Sequence, residues 1–424
     1  MAVKRGRFPG YRPRLIDGLL DELLTQLPGL MVVGPRAAGK TTTLGRRAQN
    51  IVKLDAEAQA AAFDADPDSA LRSLAEPVLL DEWQAVPGVF GAARRAIDED
   101  DRPNRFYLTG SVVAGDENEI YPGTGRIQTL EMYPMAVREQ LGDPSGPTLF
   151  DRLSEGDQLR NPGNPLDLRD YIELALKGGF PTAALRLDGR ARQAWLESYV
   201  RNLLTHDVAQ LENEEGKRGP RRDRDQLRKY LEAWCLNSGG VVSHKRIYDA
   251  VPAAKATGES YGQLLRRLLV VEEIPAWTSN RCKRLIHQPK RYVIDSSLIG
   301  AILRLDAAGV MADSDLLGRM IDTFVAAQLR PEVEISTTRP RLYHLRTEGG
   351  RHEIDLLAEL AGGRLIGIEV KAGAAPKREE ARHLKWLRDE MGDRFVAGVV
   401  FHTGPQVYSL EDRIVAAPIA SLWS

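Results

Sequence analysis

Lys40 and Thr41 follow directly on Gly34-x-x-x-x-Gly39, behind the apolar run Leu30–Val33. Residues of these types in this order suit the tail of a nucleoside triphosphate. The two glycines let the main chain curl so that successive N–H groups face phosphate oxygens. The lysine reaches the β- and γ-phosphates, and the threonine hydroxyl ligates Mg²⁺. A helix starting at Lys40 or Thr41 would turn its positive end toward the same anion. The pattern is a Walker A loop, and its strand–loop–helix setting makes a chance glycine-rich turn the weaker reading. The expected cradle is Gly34, Pro35, Arg36, Ala37, Ala38, Gly39, Lys40, Thr41 and Thr42, with ATP and Mg²⁺ as ligands.

A second constellation completes the chemistry. The strand-like Pro77–Leu80 ends in Asp81-Glu82, a Walker B arrangement in which Asp81 holds Mg²⁺ and Glu82 orients the attacking water. Arg105–Ser111 reads as another strand, ending in hydroxyl residues at the same sheet edge. Thr109 or Ser111 is a candidate for contact with the γ-phosphate or the lytic water; an ordinary strand end is the equal alternative. Arg126, after the turn Pro122–Gly125, is a candidate for the triphosphate of its own or a neighbouring subunit, against a surface ion pair. Catalytic expectations thus rest on Lys40, Glu82, Ser111 and Arg126, and metal binding on Thr41 and Asp81.

The elements that must position these residues alternate. Leu15, Leu19, Leu20, Leu23 and Leu24 mark an amphipathic helix over 14–26. Strands at 30–33, 51–54, 78–81 and 106–108 then interleave with helices from Lys40, near 68–74 and near 89–98, and a last strand spans 125–132. Such alternation predicts a parallel sheet wrapped by helices. The length of 424 residues calls for two to four domains. A formal charge of −1 gives no global nucleic-acid signature, so such a partner has to be argued from local patches. Cys235 and Cys282 lack metal-ligand pairing, and Cys235 reads as a reduced core residue. No stretch has the apolar length of a signal peptide or a membrane span, which points to a cytoplasmic protein without a membrane partner.

Beyond a Gly/Pro/Asp-rich linker at 142–166, helices are expected at 168–177 and 190–204, separated by the break Gly178–Pro181. The basic stretch within 215–229 leads into a segment that resembles a winged helix-turn-helix, with helices at 225–237, 244–249 and 257–269 and wing strands within 274–294. Ser260, Tyr261 and Gln263 would then enter the major groove, and Arg281, Lys283, Arg284, Lys290 and Arg291 would meet phosphates. Further on, strands at 342–346, 352–359 and 365–371 carry Asp355, Glu369 and Lys371, and a helix at 320–329 carries Asp322. An acid on a helix, then Asp and Glu-x-Lys on adjacent strands, resembles the PD-(D/E)XK nuclease core. There the acids hold Mg²⁺ and the lysine orients the nucleophile. The alternative is a retained fold whose charges merely pair at a sheet edge.

As a whole the chain resembles a prokaryotic family of AAA+-like P-loop ATPases that carry a C-terminal domain of unknown function. The matching runs are GPRAAGKTT at 34–42, LLDEWQAVP at 79–87, YLTGS at 107–111, GR at 125–126, GGFP at 178–181, RNLLTHD at 201–207, PKRYVIDSSL at 289–298, EID at 353–355 and IEVK at 368–371. Asp322 stands where the family more often has Glu, and Gln328 where another acid is common. The resemblance implies ATP binding and hydrolysis. The expected architecture is α/β: an AAA+-like P-loop domain over 1–140, a linker and helical region over 141–215, a winged-helix-like part over 216–305 and a nuclease-like α/β domain over 306–424. The expected function is an ATPase whose nucleotide state controls a DNA-interacting module, in a possible homo-oligomer. The alternatives are an ATP-gated nuclease and a non-enzymatic switch that scaffolds proteins.

Overall fold

The structure, a computed structural model, describes residues 8–111, 125–208, 223–242, 247, 255–279 and 288–424. The chain divides into two compact units, one of residues 1–135, 139–144 and 267–269, the other of 136–138, 145–266 and 270–424.

In the first unit, β1 (Gly29–Val33), β2 (Asn50–Lys53), β3 (Val78–Asp81), β4 (Phe106–Gly110) and β5 (Ile127–Glu131) form one sheet in the order β2-β3-β4-β1-β5. Every pairing is parallel. Strands buried on both faces read as near-continuous apolar runs; β3 and β4 are buried along their whole lengths and apolar up to their carboxyl ends, where Asp81 and Thr109 stand. Helices Ile16–Leu23, Lys40–Gly45, Glu57–Ala65, Pro67–Arg72 and Gly88–Glu99 link or flank the strands. Phe63, Leu80, Trp83, Phe90 and Leu108 share one core. This is the parallel sheet with helices of a P-loop NTPase.

The second unit opens with helices, including Leu149–Glu155 inside the segment expected to be an irregular linker. Thr148 caps that helix by accepting from the Asp151 N–H; seven residues between Gly and Pro turns are too few for a visible apolar period. Helices Arg224–Leu236 and Lys255–Arg267 follow, then the antiparallel pair β6 (Val271–Ile274) and β7 (Lys290–Val293). The middle helix expected at 244–249 and the residues Arg281, Lys283 and Arg284 lie outside the described residues, apart from Ile247. The long helix Ser314–Ile335 is capped by Asp313, which accepts from the Asp315 and Leu316 N–H groups. Strands β8 (Arg341–Arg346), β9 (Glu353–Glu359), β10 (Leu365–Val370), β11 (Phe395–His402), β12 (Tyr408–Glu411) and β13 (Ile414–Pro418) make a mixed sheet, ordered β12-β13-β11-β10-β9-β8. Its core includes Ile354, Leu365, Leu384, Phe395 and Val400. No helix among the described residues is long and apolar enough to cross a membrane.

Candidate nucleotide site and a second charged cluster

The Walker segment leaves the sheet at the carboxyl end of β1. A Cβ added to Gly34 would stand 2.0 Å from the Met132 carbonyl oxygen, so only glycine fits there. Ala37 and Gly39 take positive φ of 61° and 103°, which gives the loop its curl. Pro35 and Ala38 are buried, Ala37 is exposed, and Arg36 and Thr42 are intermediate. Lys40 is only 4% exposed, and its Nζ donates to the carbonyls of Gly34 (2.8 Å) and Pro35 (3.0 Å). Burial pulls its pKa down to about 8, against the opposing pull of Glu82 and Asp81.

The Walker B residues meet this loop across the sheet. Thr41 Oγ1 donates to Asp81 Oδ1 at 2.6 Å, and Thr109 Oγ1, from β4, donates to the same oxygen at 2.5 Å. Burial raises the Asp81 pKa while these two bonds lower it. Glu82 sits in the left-handed region at φ 53° and ψ 50°, a conformation that costs a non-glycine residue free energy. Gln84 Nε2 (2.5 Å) and Ser111 Oγ (2.9 Å) both donate to its Oε2. The two hydroxyls offered as alternatives at the end of β4 therefore serve different carboxylates, Thr109 that of Asp81 and Ser111 that of Glu82, while Thr109 Oγ1 also accepts from the Glu82 N–H at 3.2 Å. The donor set fits a triphosphate with Mg²⁺, because a buried ammonium, a hydroxyl and a carboxylate converge beside a loop that admits no Cβ.

Arg14 is a site-shaping residue that motif reading passed over. It is buried, and its guanidinium donates to the Ala38 carbonyl (2.7 Å), the Tyr133 carbonyl (2.7 Å) and Glu139 Oε1 (2.9 Å). It lies between Pro13 and the apolar start of the helix Ile16–Leu23, and nothing local reports contacts 24 and 125 positions away.

Arg126 is a correction. The β1–β5 register pairs Gly29 with Ile127 and Val33 with Glu131. Arg126 thus immediately precedes β5, at the end of the strands opposite the Walker loop, about 16 Å away over five residues of strand. It pairs instead with Asp98 at 2.8 Å, with 47% of its side chain exposed. It cannot reach the triphosphate of its own chain.

In the second unit, the residues expected in a nuclease-like site cluster around a residue expected elsewhere. Lys290, 2% exposed, places Nζ 2.7 Å from Asp322 Oδ2 and 3.0 Å from Asp355 Oδ1. Tyr292 donates its hydroxyl to Asp322 Oδ1 (3.1 Å), and the Val370 N–H donates to Asp355 Oδ2 (3.0 Å). Glu369 does not join them: its Oε2 pairs with Lys371 at 2.8 Å, and its buried Oε1 has no hydrogen-bond partner. Burial raises Asp322 to about 6 and Lys290 draws it back, whereas Lys290 and Lys371 hold Asp355 below its usual value despite burial. Among the described residues no three His, Cys, Asp or Glu side chains form a group able to hold a metal ion.

Three residues expected on DNA are also corrected. Lys290 and Arg291 are buried, the latter against Glu273 at 3.1 Å, and Tyr261 is a core residue at the interior of its helix. Side chains this buried cannot meet phosphates or base edges. Ser260 is intermediate and Gln263 exposed. Gln328 supplies no charge and instead accepts from the Val137 N–H at 2.7 Å. Two family-like runs prove to be one joint. Asp295 accepts from the N–H groups of Gly179 (2.8 Å) and Ser297 (2.9 Å), and a Cβ on Gly178 would lie 2.3 Å from Asp295 Oδ1. Cys235 is a buried free thiol.

Residues 27–141 match the model of the AAA domain family. Residues 168–309 match a domain of unknown function, DUF8612, and 317–422 another, DUF4143. The chain thus joins a P-loop ATPase-type domain to C-terminal domains of unknown function. An uncharacterized protein of Mycobacterium tuberculosis is 28% identical over 407 residues, covering 94% of this chain and 82% of its own. An uncharacterized protein of Mycobacterium bovis matches to the same extent. Among solved structures, the Walker-type ATPase of Pyrococcus abyssi aligns at 16% identity with a TM-score of 0.41, over 72% of this chain and 96% of that one.

Proposed function

We propose that the first unit binds ATP with Mg²⁺ and hydrolyses it. The observation that carries this reading is the convergence of Thr41 and Thr109 on Asp81 beside a buried Lys40, with Glu82 held one residue further on. Lys40 neutralises the β- and γ-phosphates, Thr41 and Asp81 hold the metal, and Glu82 orients water toward the γ-phosphate. Bound Mg²⁺ supplies charge neutralisation on the transferred phosphoryl group. Ser111 and Gln84 fix the Glu82 carboxylate and so set where its free lone pairs point.

Lys40→Ala is expected to abolish binding of a fluorescent ATP analogue, with turnover lost in parallel. Glu82→Gln is expected to bind the analogue normally while turnover falls about a hundredfold or more. Unchanged turnover in both variants overturns the assignment. The reading extends only to nucleotide turnover, because Lys290, Arg291 and Tyr261 are buried. Duplex DNA added to the same assay tests the wider expectation, and stimulated turnover would extend the reading to the second unit.

A further inference from the structure

We infer that Lys290 supplies, from within the chain, the positive charge that a divalent cation would bring to Asp322 and Asp355, so that this acidic site is closed to metal. The carboxylates come from different elements, the helix Ser314–Ile335 and strand β9, as they would in a metal-dependent nuclease. The ammonium from β7 stands between them at 2.7 and 3.0 Å. Mg²⁺ requires near-octahedral oxygen ligands at about 2.1 Å. A cation on these oxygens would lie within van der Waals range of the ammonium, and two like charges in a buried site repel strongly.

The surroundings fix Lys290 in place. Its side chain is 3% exposed, enclosed together with the carboxylates that it pairs. A Cβ on Gly239 would stand 2.7 Å from Asp322 Oδ2, so any side chain at that position would crowd the carboxylate from another side. The third acid is diverted, since Lys371 holds Glu369. A cleft of about 450 Å³ opens beside Asp322, Asp355 and Lys371, so access is not what keeps metal out. The residues present therefore do not fit the Mg²⁺ that a nuclease reading implies, and no cleavage step is derived through it. Lys290 acts instead as a counter-ion that ties β7 to the helix and to β9.

The test is a Mn²⁺ titration of the full chain without nucleotide, read by electron paramagnetic resonance. Wild type and Asp355→Asn are expected to take up the same Mn²⁺. Lys290→Met, with its fold checked by circular dichroism, is expected to gain one bound Mn²⁺ per chain, and adding Asp355→Asn should remove it. Wild-type uptake that Asp355→Asn abolishes overturns the inference, as does a folded Lys290→Met without a gain. Should Lys290→Met fail to fold, the wild-type and Asp355→Asn pair decides alone: equal uptake supports the inference and an Asp355-dependent site overturns it. The Walker residues are untouched throughout, so a failed ATPase reading would leave this result standing.

Discussion

Two buried lysines, one in each unit, sit close to acidic side chains and end up in opposite situations. Lys40 donates to two main-chain carbonyls, and burial drags its pKa down to about 8. Lys290 donates to two carboxylates, and although burial opposes charge there too, Asp322 and Asp355 drive its pKa well above the ordinary value. The difference is in what remains unsatisfied. Carbonyl dipoles leave the Lys40 charge largely uncompensated, so an incoming polyanion gains from it. Full carboxylates use up the Lys290 charge, so it holds structure together and offers nothing to a ligand.

The largest expected effect separates the two by stability. Removing one partner of a buried ion pair leaves uncompensated charge and costs about 3–5 kcal/mol. Lys290→Met should lower the unfolding free energy of the second unit, read by urea titration, by that amount while nucleotide affinity per folded molecule stays unchanged. Lys40→Ala should do the reverse, and equal destabilisation by both substitutions would break the contrast.

A smaller effect concerns protons at Lys40. A triphosphate binds the charged form, so above pH 8 binding must restore a proton that the free protein has lost. Affinity is expected to be flat below pH 8 and to fall above it by up to about 1.4 kcal/mol per unit. Calorimetry at pH 8.5 in buffers of different ionisation enthalpy should register proton uptake on binding. Pure proton release, or none, would contradict the lowered pKa.

The smallest expected effect is at Glu369, which burial and then Asp355 push up to about 8, with Lys371 pulling back. Because the folded pKa is raised, its favourable contribution is complete below the ordinary glutamate range and is lost as pH rises toward 8. Glu369→Gln should therefore gain on wild type in melting temperature as the pH rises from 5 to 8. A constant difference across that range would show that Lys371 keeps Glu369 ionised throughout.

How much of this was legible in the sequence depended on distance along the chain. Each Walker motif is a contiguous run whose chemistry dictates its setting, strand–loop–helix for the first and a strand end for the second, so the loop and the acids were each readable from their own segment. The strands carrying Asp355 and Glu369 were readable from their alternation and glycine turns. Lys290 was misread because its partner carboxylates lie on elements formed much later, the second 65 positions away. A basic run next to a wing-like strand looks like a phosphate surface until burial is known. One local hint existed: Lys290 and Tyr292 share a strand face, and in a strand buried on both sides a lysine needs an acid. Arg126 misled through its glycine-rich turn, because the pattern says nothing of which end of the sheet a strand begins at. β12 and β13 went unseen because Arg413, at φ 56°, makes a left-handed turn without the glycine or asparagine that would announce it. The helix Glu57–Ala65 went unseen too, since EAQAAAFDA offers only Phe63 as a large buried anchor.

Arg14 has a mechanical consequence for the nucleotide cradle. One guanidinium grips the loop at Ala38 and the stretch leaving β5 at Tyr133, while the Met132 carbonyl abuts Gly34 without room for a methyl group. Loop and exit strand are thereby clamped together, as a hinge pin joins two leaves. Any shift of the cradle carries residues 132 and 133 with it, a few positions before the chain crosses into its second unit at Ala136.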